Sequence, residues 1–193
     1  MLHNALAAAL PSNSTLQQLS FKALPSDDPD AHVDLSPLFL ALVKNKGLKT
    51  LLVGGFGSMD ESLCTAMQKG LGANETLESL ELDNARLHGV ELALWCRALS
   101  FLRTNKALKS LMVNVDCGLS TESRFSVFRI SAAAMLQENA SLESLYIRGS
   151  HQTKAGEYVA LIAALQHNRT LKTLRLDRFD TLRLTDHCLL YPP

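Results

Sequence analysis

The sequence is poor in cysteine, and the cysteines that it has are widely spaced. Its 193 residues contain four of them, with no Cys-x-x-Cys pair: Cys64, Cys96, Cys117 and Cys188. This spacing indicates neither a zinc site nor a compact disulfide framework. Free thiols in a reducing compartment are the simplest interpretation, so we expect a cytoplasmic protein.

The sequence also lacks an excess of charge and a long apolar run. Nineteen basic residues balance nineteen acidic ones, and the isoelectric point is near 7.0. This balance does not favour nucleic acid or an anionic membrane as a partner. No apolar run reaches the ~18 residues that a membrane-spanning helix needs. We therefore expect neither a nucleic-acid partner nor a membrane partner.

Catalytic and ligand-binding motifs are missing as well. The six histidines form no metal-spaced pair, and none lies beside a plausible nucleophile. The segment Gly54-Gly-Phe-Gly57 lacks the lysine of a phosphate-binding loop, so a tight strand-to-helix turn explains it better. We expect no enzyme activity, no catalytic residue, no metal, no cofactor and no small-molecule substrate.

Leucine, in contrast, is abundant and periodic. The chain has 38 leucines, and the pattern Leu-x-x-Asn-x-x-Leu-x-x-Leu-x-apolar recurs six times. We call its invariant asparagines the repeat asparagines; they are Asn13, Asn45, Asn74, Asn105, Asn139 and Asn168. Their separations are 32, 29, 31, 34 and 29 residues, which indicates a repeated supersecondary unit.

Each part of the pattern predicts a local structure. The Leu-x-apolar end alternates with period two, as in a strand with one buried face. Before the asparagine the spacing is helical, and Leu63, Met67 and Leu71 share one helix face. Ser58-Met-Asp-Glu61 has the form of a capping box at a helix start. The asparagine falls where the helix must stop. Asparagine tolerates the left-handed conformation found at helix C-termini, and its amide can bond to nearby backbone groups.

Such a unit cannot bury its own apolar edge, so the units must stack. Side-by-side stacking joins the strands into a parallel sheet and the helices into an outer layer, with the leucines between them. We expect one domain over residues 1–193. Because no polar capping module is recognisable at either end, a fragment of a longer array is an alternative. Within it we expect an irregular acidic surface loop at about residues 23–37.

The pattern resembles the leucine-rich repeats of the ribonuclease-inhibitor-like class. The resemblance implies an α/β solenoid of about six repeats, shaped as a horseshoe with parallel strands on the concave face and helices on the convex face. The chain departs from the class at one place. The class often has Asn or Cys three positions after the last apolar residue of the repeat pattern, and this chain has neither at any of the six positions.

Residues that flank the buried strand positions should point to the concave face and form rows across the sheet. Met, Tyr and Arg are enriched at the centres of protein interfaces, which draws attention to Met112, Tyr146 and Arg175. An alternative is that Tyr146 and Arg175 only stack, and that Arg148 pairs with Asp177. The candidate partner-binding residues are Leu52, Glu81, Met112, Tyr146, Arg148, Arg175 and Asp177.

These features favour a scaffold or recognition module that binds a partner protein through the concave strand face and the adjacent loops. The resemblance leaves two alternatives open. One is a regulator of a small GTPase, which would use an arginine at a loop edge, such as Arg86 or Arg178. The other is the sensor arm of an innate-immune receptor.

Overall fold

A single parallel sheet organises the chain. The computed structural model describes residues 2–22, 33–55, 59–86, 91–116, 131–149 and 159–177. All six strands of these ranges pair parallel, and their order in the sheet is their order in the chain. The strands are β1 (Gln18–Lys22), β2 (Thr50–Gly54), β3 (Ser79–Arg86), β4 (Ser110–Asp116), β5 (Ser144–Gly149) and β6 (Thr173–Asp177).

One helix precedes each strand, as the repeat pattern predicts. The helices are α1 (Leu2–Ala9), α2 (Ser36–Ala41), α3 (Glu61–Ala73), α4 (Glu91–Ala98), α5 (131–138) and α6 (Val159–His167). Short 3₁₀ turns follow α1 at Leu10–Ser12 and α4 at Leu99–Arg103. The prediction of an α/β protein with about six parallel strand–helix units is therefore confirmed. No helix among the described residues is both long enough and apolar enough to cross a membrane.

The predicted strand leucines form the core. At most 3% of each inward side chain of β2 to β5 is exposed; these residues are Leu51, Val53, Leu80, Leu82, Leu111, Val113, Leu145 and Ile147. They belong to one cluster with the inward helix residues, among them Leu63, Met67, Leu71 and the fully buried Trp95. Since the alternate strand positions lie outside this cluster, the described helices cover one face of the sheet, and none of them covers the other face.

Two predicted boundaries are wrong by a few residues. Helix α3 is capped by Asp60, whose carboxylate accepts a hydrogen bond of 2.7 Å from the Leu63 backbone N–H, and not by Ser58. Asp and Ser are comparable caps, so the motif alone did not distinguish them. The acidic loop predicted to extend to Pro37 ends earlier, because α2 begins at Ser36 with a proline in its first turn. Residues 23–32 of that loop lie outside the described residues.

Of the two roles expected of the repeat asparagines, the left-handed backbone conformation is not adopted at Asn13 or at Asn74. Asn13 (φ −86°, ψ 114°) and Asn74 (φ −77°, ψ 128°) are extended. In each described repeat the asparagine side-chain oxygen instead accepts hydrogen bonds from the backbone two and three residues ahead. For Asn105 these donors are the N–H groups of Ala107, at 3.0 Å, and Leu108, at 2.7 Å. The expected bonding of the amide to nearby backbone groups is therefore confirmed, and the side chain closes the turn.

The asparagine amide nitrogen points the other way, into the preceding repeat. Asn105 Nδ2 donates to the carbonyl oxygens of Leu71, at 2.7 Å, and Asn74, at 3.0 Å. The same pair of bonds recurs at Asn45, Asn74, Asn139 and Asn168. We call this series the asparagine ladder. Asn45, Asn74, Asn105 and Asn139 are at most 5% exposed, so the ladder satisfies polar groups that water cannot reach.

A glycine allows two neighbouring helices to approach closely. A Cβ atom built on Gly70 of α3 would lie 1.9 Å from the carbonyl oxygen of Phe39 in α2, too close for any side chain. Gly72, two residues further along the same helix, has ordinary room, with Thr104 Oγ1 at 3.6 Å. The close packing of α2 on α3 therefore depends on Gly70 and not on Gly72.

Alanine substitutions at these two glycines should have opposite effects on stability. Gly70→Ala forces the α2 and α3 backbones apart and should lower the free energy of unfolding by about 3 kcal/mol or more. Gly72→Ala should raise it by about 0.5–1 kcal/mol, because alanine is the better helix former. Urea denaturation of both variants measures the difference. Equal stability of the two variants would contradict the close approach.

Removal of one inner member of the asparagine ladder should be costly. Asn105→Ala leaves two buried carbonyls and two backbone N–H groups without partners, so we expect a loss of about 2–4 kcal/mol in the free energy of unfolding. Asn13→Ala is the matched control, because Asn13 is exposed and uses only its side-chain oxygen. It should cost about 1 kcal/mol or less, since water replaces the lost bonds. Thermal and urea unfolding compare the two.

Candidate functional site

The strand register brings together one predicted row of outward residues, the row that contains Met112, Tyr146 and Arg175. Each member pairs with the next across neighbouring strands, from Ser20 on β1 through Leu52, Glu81, Met112 and Tyr146 to Arg175 on β6. Neighbouring members lie about 4.8 Å apart, the strand spacing of a sheet. We call the surface that carries this row the open face. Six non-adjacent sequence segments thus meet on one surface.

The predicted site residues differ in their exposure on the open face. Leu52, Glu81, Met112 and Tyr146 are half-buried, whereas Arg148 and Arg175 are exposed. Asp177 pairs with Arg148 in the backbone register of β5 and β6. Its side chain lies outside those that the structure describes, so the predicted ion pair between Arg148 and Asp177 stays a prediction.

Tyr146 and Arg175 stack on each other, as one of the two sequence interpretations expects. The guanidinium carbon of Arg175 lies 5.0 Å from the centre of the Tyr146 ring. A cation over an aromatic ring at this distance contributes about 0.5–1 kcal/mol at an exposed site. The stack holds the long arginine side chain over the sheet, and it leaves Met112 beside Tyr146 in register.

A glycine allows a contact in the neighbouring row of outward residues, two positions further along the strands. Gly54 lies between Lys22 and Asp83 in the register, and it has no side chain to separate them. Lys22 Nζ therefore reaches across β2 to Asp83 Oδ2, at 3.0 Å. Asp83 also accepts a hydrogen bond of 2.7 Å from Asn114 Nδ2, next to a bulge in the pairing of β3 with β4. The sequence predicted the row but not these cross-strand contacts.

A second surface, at the edge where the strands begin, carries alternating charges that sequence analysis missed. Four residues after each repeat asparagine stand Gln17, Lys49, Glu78, Lys109, Glu143 and Lys172, which we call the charge row. Lys49 Nζ lies 2.8 Å from Glu78, and Lys172 Nζ lies 2.7 Å from Glu143. Alignment of the six repeats on their asparagines would have revealed the alternation. These charges are largely neutralised within the chain.

The backbone fixes the positions of the charge row. The carbonyl of each of its first five members accepts two backbone N–H groups from the next repeat, as Glu78 does from Lys109, at 2.8 Å, and Ser110, at 2.9 Å. The hydrogen bond and charge of Lys172, aided by the charge of Lys109, hold the pKa of Glu143 below its ordinary value.

The two described cysteines are free thiols, in agreement with the expectation from spacing. Cys64 is buried and accepts a hydrogen bond of 3.2 Å from Arg97 Nε, while Arg97 also binds Glu61. Burial raises the pKa of the Cys96 thiol, which keeps it protonated near neutral pH. Cys117 and Cys188 lie outside the described residues. Cys64 and Cys96 therefore act as packing residues.

The side chains of the two arginines considered for GTPase regulation lie outside those that the structure describes. Arg178 lies outside the described residues, and of Arg86 only the backbone, at the end of β3, is described. Within the described ranges, no three His, Cys, Asp or Glu residues lie close enough to hold a metal ion. In comparisons with known proteins, no family model and no curated protein matches the chain.

Replacement of one partner in the charge row should shift the titration of the other. Lys172→Ala should raise the pKa of Glu143 towards its ordinary value, which carboxyl ¹³C resonances followed through acidic pH would measure. Because the folded-state pKa is depressed, this ion pair stabilises the fold above the unfolded pKa and is lost as pH falls through the folded pKa. Lys46→Ala is the control, since Lys46 faces Glu75. An unchanged Glu143 titration in Lys172→Ala would contradict the assignment.

Proposed function

We propose that the chain is a leucine-rich-repeat solenoid of the ribonuclease-inhibitor-like class that binds a partner protein through the open face of its sheet. In this proposal the open face is the concave side of a horseshoe, and the helices form its convex side. The supporting features are the regular alternation of helix and strand, the strand order β1 to β6 in chain order, and the repeated asparagine turns.

One observation carries the proposal. The inward strand positions hold a leucine and a second apolar residue in every unit, whereas the position facing outward between them differs from unit to unit and forms a continuous row. The repeated positions have a packing role. The variable positions offer a stiff surface whose chemistry differs from strand to strand, which suits recognition of a protein.

The centre of that surface has the composition of an interface. Met112 and Tyr146 are half-buried neighbours, and Arg175 lies over the Tyr146 ring. Met, Tyr and Arg supply a large share of interface energy in protein complexes. Because Arg175 already rests on Tyr146, less side-chain entropy is lost when a partner covers it.

The test compares the chain with a variant of the open face. The wild-type chain, the double variant Tyr146→Ala/Arg175→Ala and a control serve as baits for affinity capture, and mass spectrometry identifies the captured proteins. The control is Thr65→Ala/Lys69→Ala, two exposed positions on the outer side of α3. Melting temperatures establish that all three baits are folded.

We expect a partner that binds the wild-type chain and the control but not the open-face variant. With the purified partner, the double variant should raise Kd by about 30-fold, the effect of losing roughly 2 kcal/mol at an interface centre. A partner that binds the open-face variant as tightly as the wild type, and loses affinity for the helix variant, would overturn the proposal.

A further inference from the structure

The ionisable residues of the open face are not all neutralised within the chain. Five of them have described side chains: Lys22, Glu81, Asp83, Arg148 and Arg175. Lys22 and Asp83 pair across β2, and Arg175 lies over Tyr146. Neither Glu81 nor Arg148 has a hydrogen-bond or ion-pair partner among the described side chains.

Glu81 is in the less favourable surroundings of the two. It is half-buried, and the residues beside it in the register are Leu52 on one side and Met112 on the other. A carboxylate between apolar side chains keeps part of its hydration while the face is open to water. Covering it without an opposite charge would be costly, because a desolvated charge needs a partner.

Arg148, in contrast, requires an acidic partner. It is exposed on β5, two residues beyond Tyr146, and its guanidinium offers five N–H donors with a geometry that fits a carboxylate. Two strand spacings across the sheet and two residues along it separate Arg148 from Glu81. The two residues are therefore roughly 12 Å apart between Cα atoms, with Met112 and Tyr146 between them.

We propose that the open face binds a single protein segment that carries a basic residue and an acidic residue roughly 12 Å apart, with apolar side chains between them. The basic residue pairs with Glu81, the acidic residue pairs with Arg148, and the apolar residues cover Met112 and Tyr146. Such a separation corresponds to about four residues in an extended segment or about eight in a helix. The inference rests on the proposed function, because it names the partner of the same surface.

A partner should bind the open face in preference to the charge row. In that row Lys49 already pairs with Glu78, and Lys172 pairs with Glu143, so a docking segment gains little from these four residues. On the open face, Glu81 and Arg148 are of opposite sign, and neither has a partner among the described side chains. A segment with the matching pair is selected over a uniformly acidic or uniformly basic one, each of which meets a like charge.

The experiment uses a library of random peptides of about 16 residues displayed on phage, long enough to cross six strands even as a helix. The full chain is the bait, and bound phage are sequenced. Parallel selections use Glu81→Gln, Arg148→Gln, and Glu78→Gln as the control, since Glu78 pairs with Lys49 within the chain. Melting temperatures verify that each bait is folded.

The wild-type chain and Glu78→Gln should both enrich peptides with one basic and one acidic residue at the stated separation. Glu81→Gln should lose the preference for the basic residue, and Arg148→Gln the preference for the acidic one. For the best synthetic peptide, replacement of its basic residue by Glu should raise Kd at least about tenfold, and Glu81→Lys should restore the affinity of that altered peptide.

Three outcomes would overturn the inference, and they separate it from the proposed function. Peptides that lack the charge pair, yet lose affinity for Tyr146→Ala/Arg175→Ala, refute the inference and leave the proposed function standing. Peptides that bind that variant as well as the wild type refute both. A selection that enriches no peptide refutes binding of a single linear segment.

Discussion

The asparagine ladder is the interaction on which the rest of the structure depends. Each side chain closes the turn that leads into its own strand and, through its nitrogen, binds the carbonyls of the repeat before it. Local conformation and contact between repeats therefore come from the two polar atoms of one side chain. The ladder holds the strands in a common register, and that register aligns the outward residues in rows. The alignment of residues on the open face therefore depends on buried hydrogen bonds as well as on leucine packing.

Much of the fold could be predicted from the sequence because the same pattern occurs six times. A single Leu-x-Leu segment predicts little, but six copies with the same spacing predict the parallel strands, their order and the residues that are buried. Rows on the open face follow from the same alignment, so the neighbouring positions of Met112, Tyr146 and Arg175 could be predicted. The stack of Arg175 on Tyr146 was one of two interpretations, since side-chain geometry depends on contacts that spacing does not fix.

What could not be predicted depends on geometry between units. The sequence left two roles open for the asparagine; the structure shows an extended backbone at Asn74, where the carboxamide closes the turn by itself. Lys22 reaches Asp83 only because Gly54 between them lacks a side chain. Likewise, Asp60 and Ser58 are both good caps by residue type, and the structure shows that the helix starts after Asp60. Each of these is a relation between residues that the repeat pattern does not contain.

The ladder also has a direction, and this makes the two ends of the molecule unequal. Every amide donor points towards the N-terminal neighbour, so removal of a unit from the front leaves buried N–H groups without acceptors. Removal from the back leaves only carbonyls without donors. Proteins tolerate orphaned carbonyls better than orphaned N–H groups. Shortening the molecule from its C-terminal side should therefore disturb the remaining units less, and fraying under stress should start there.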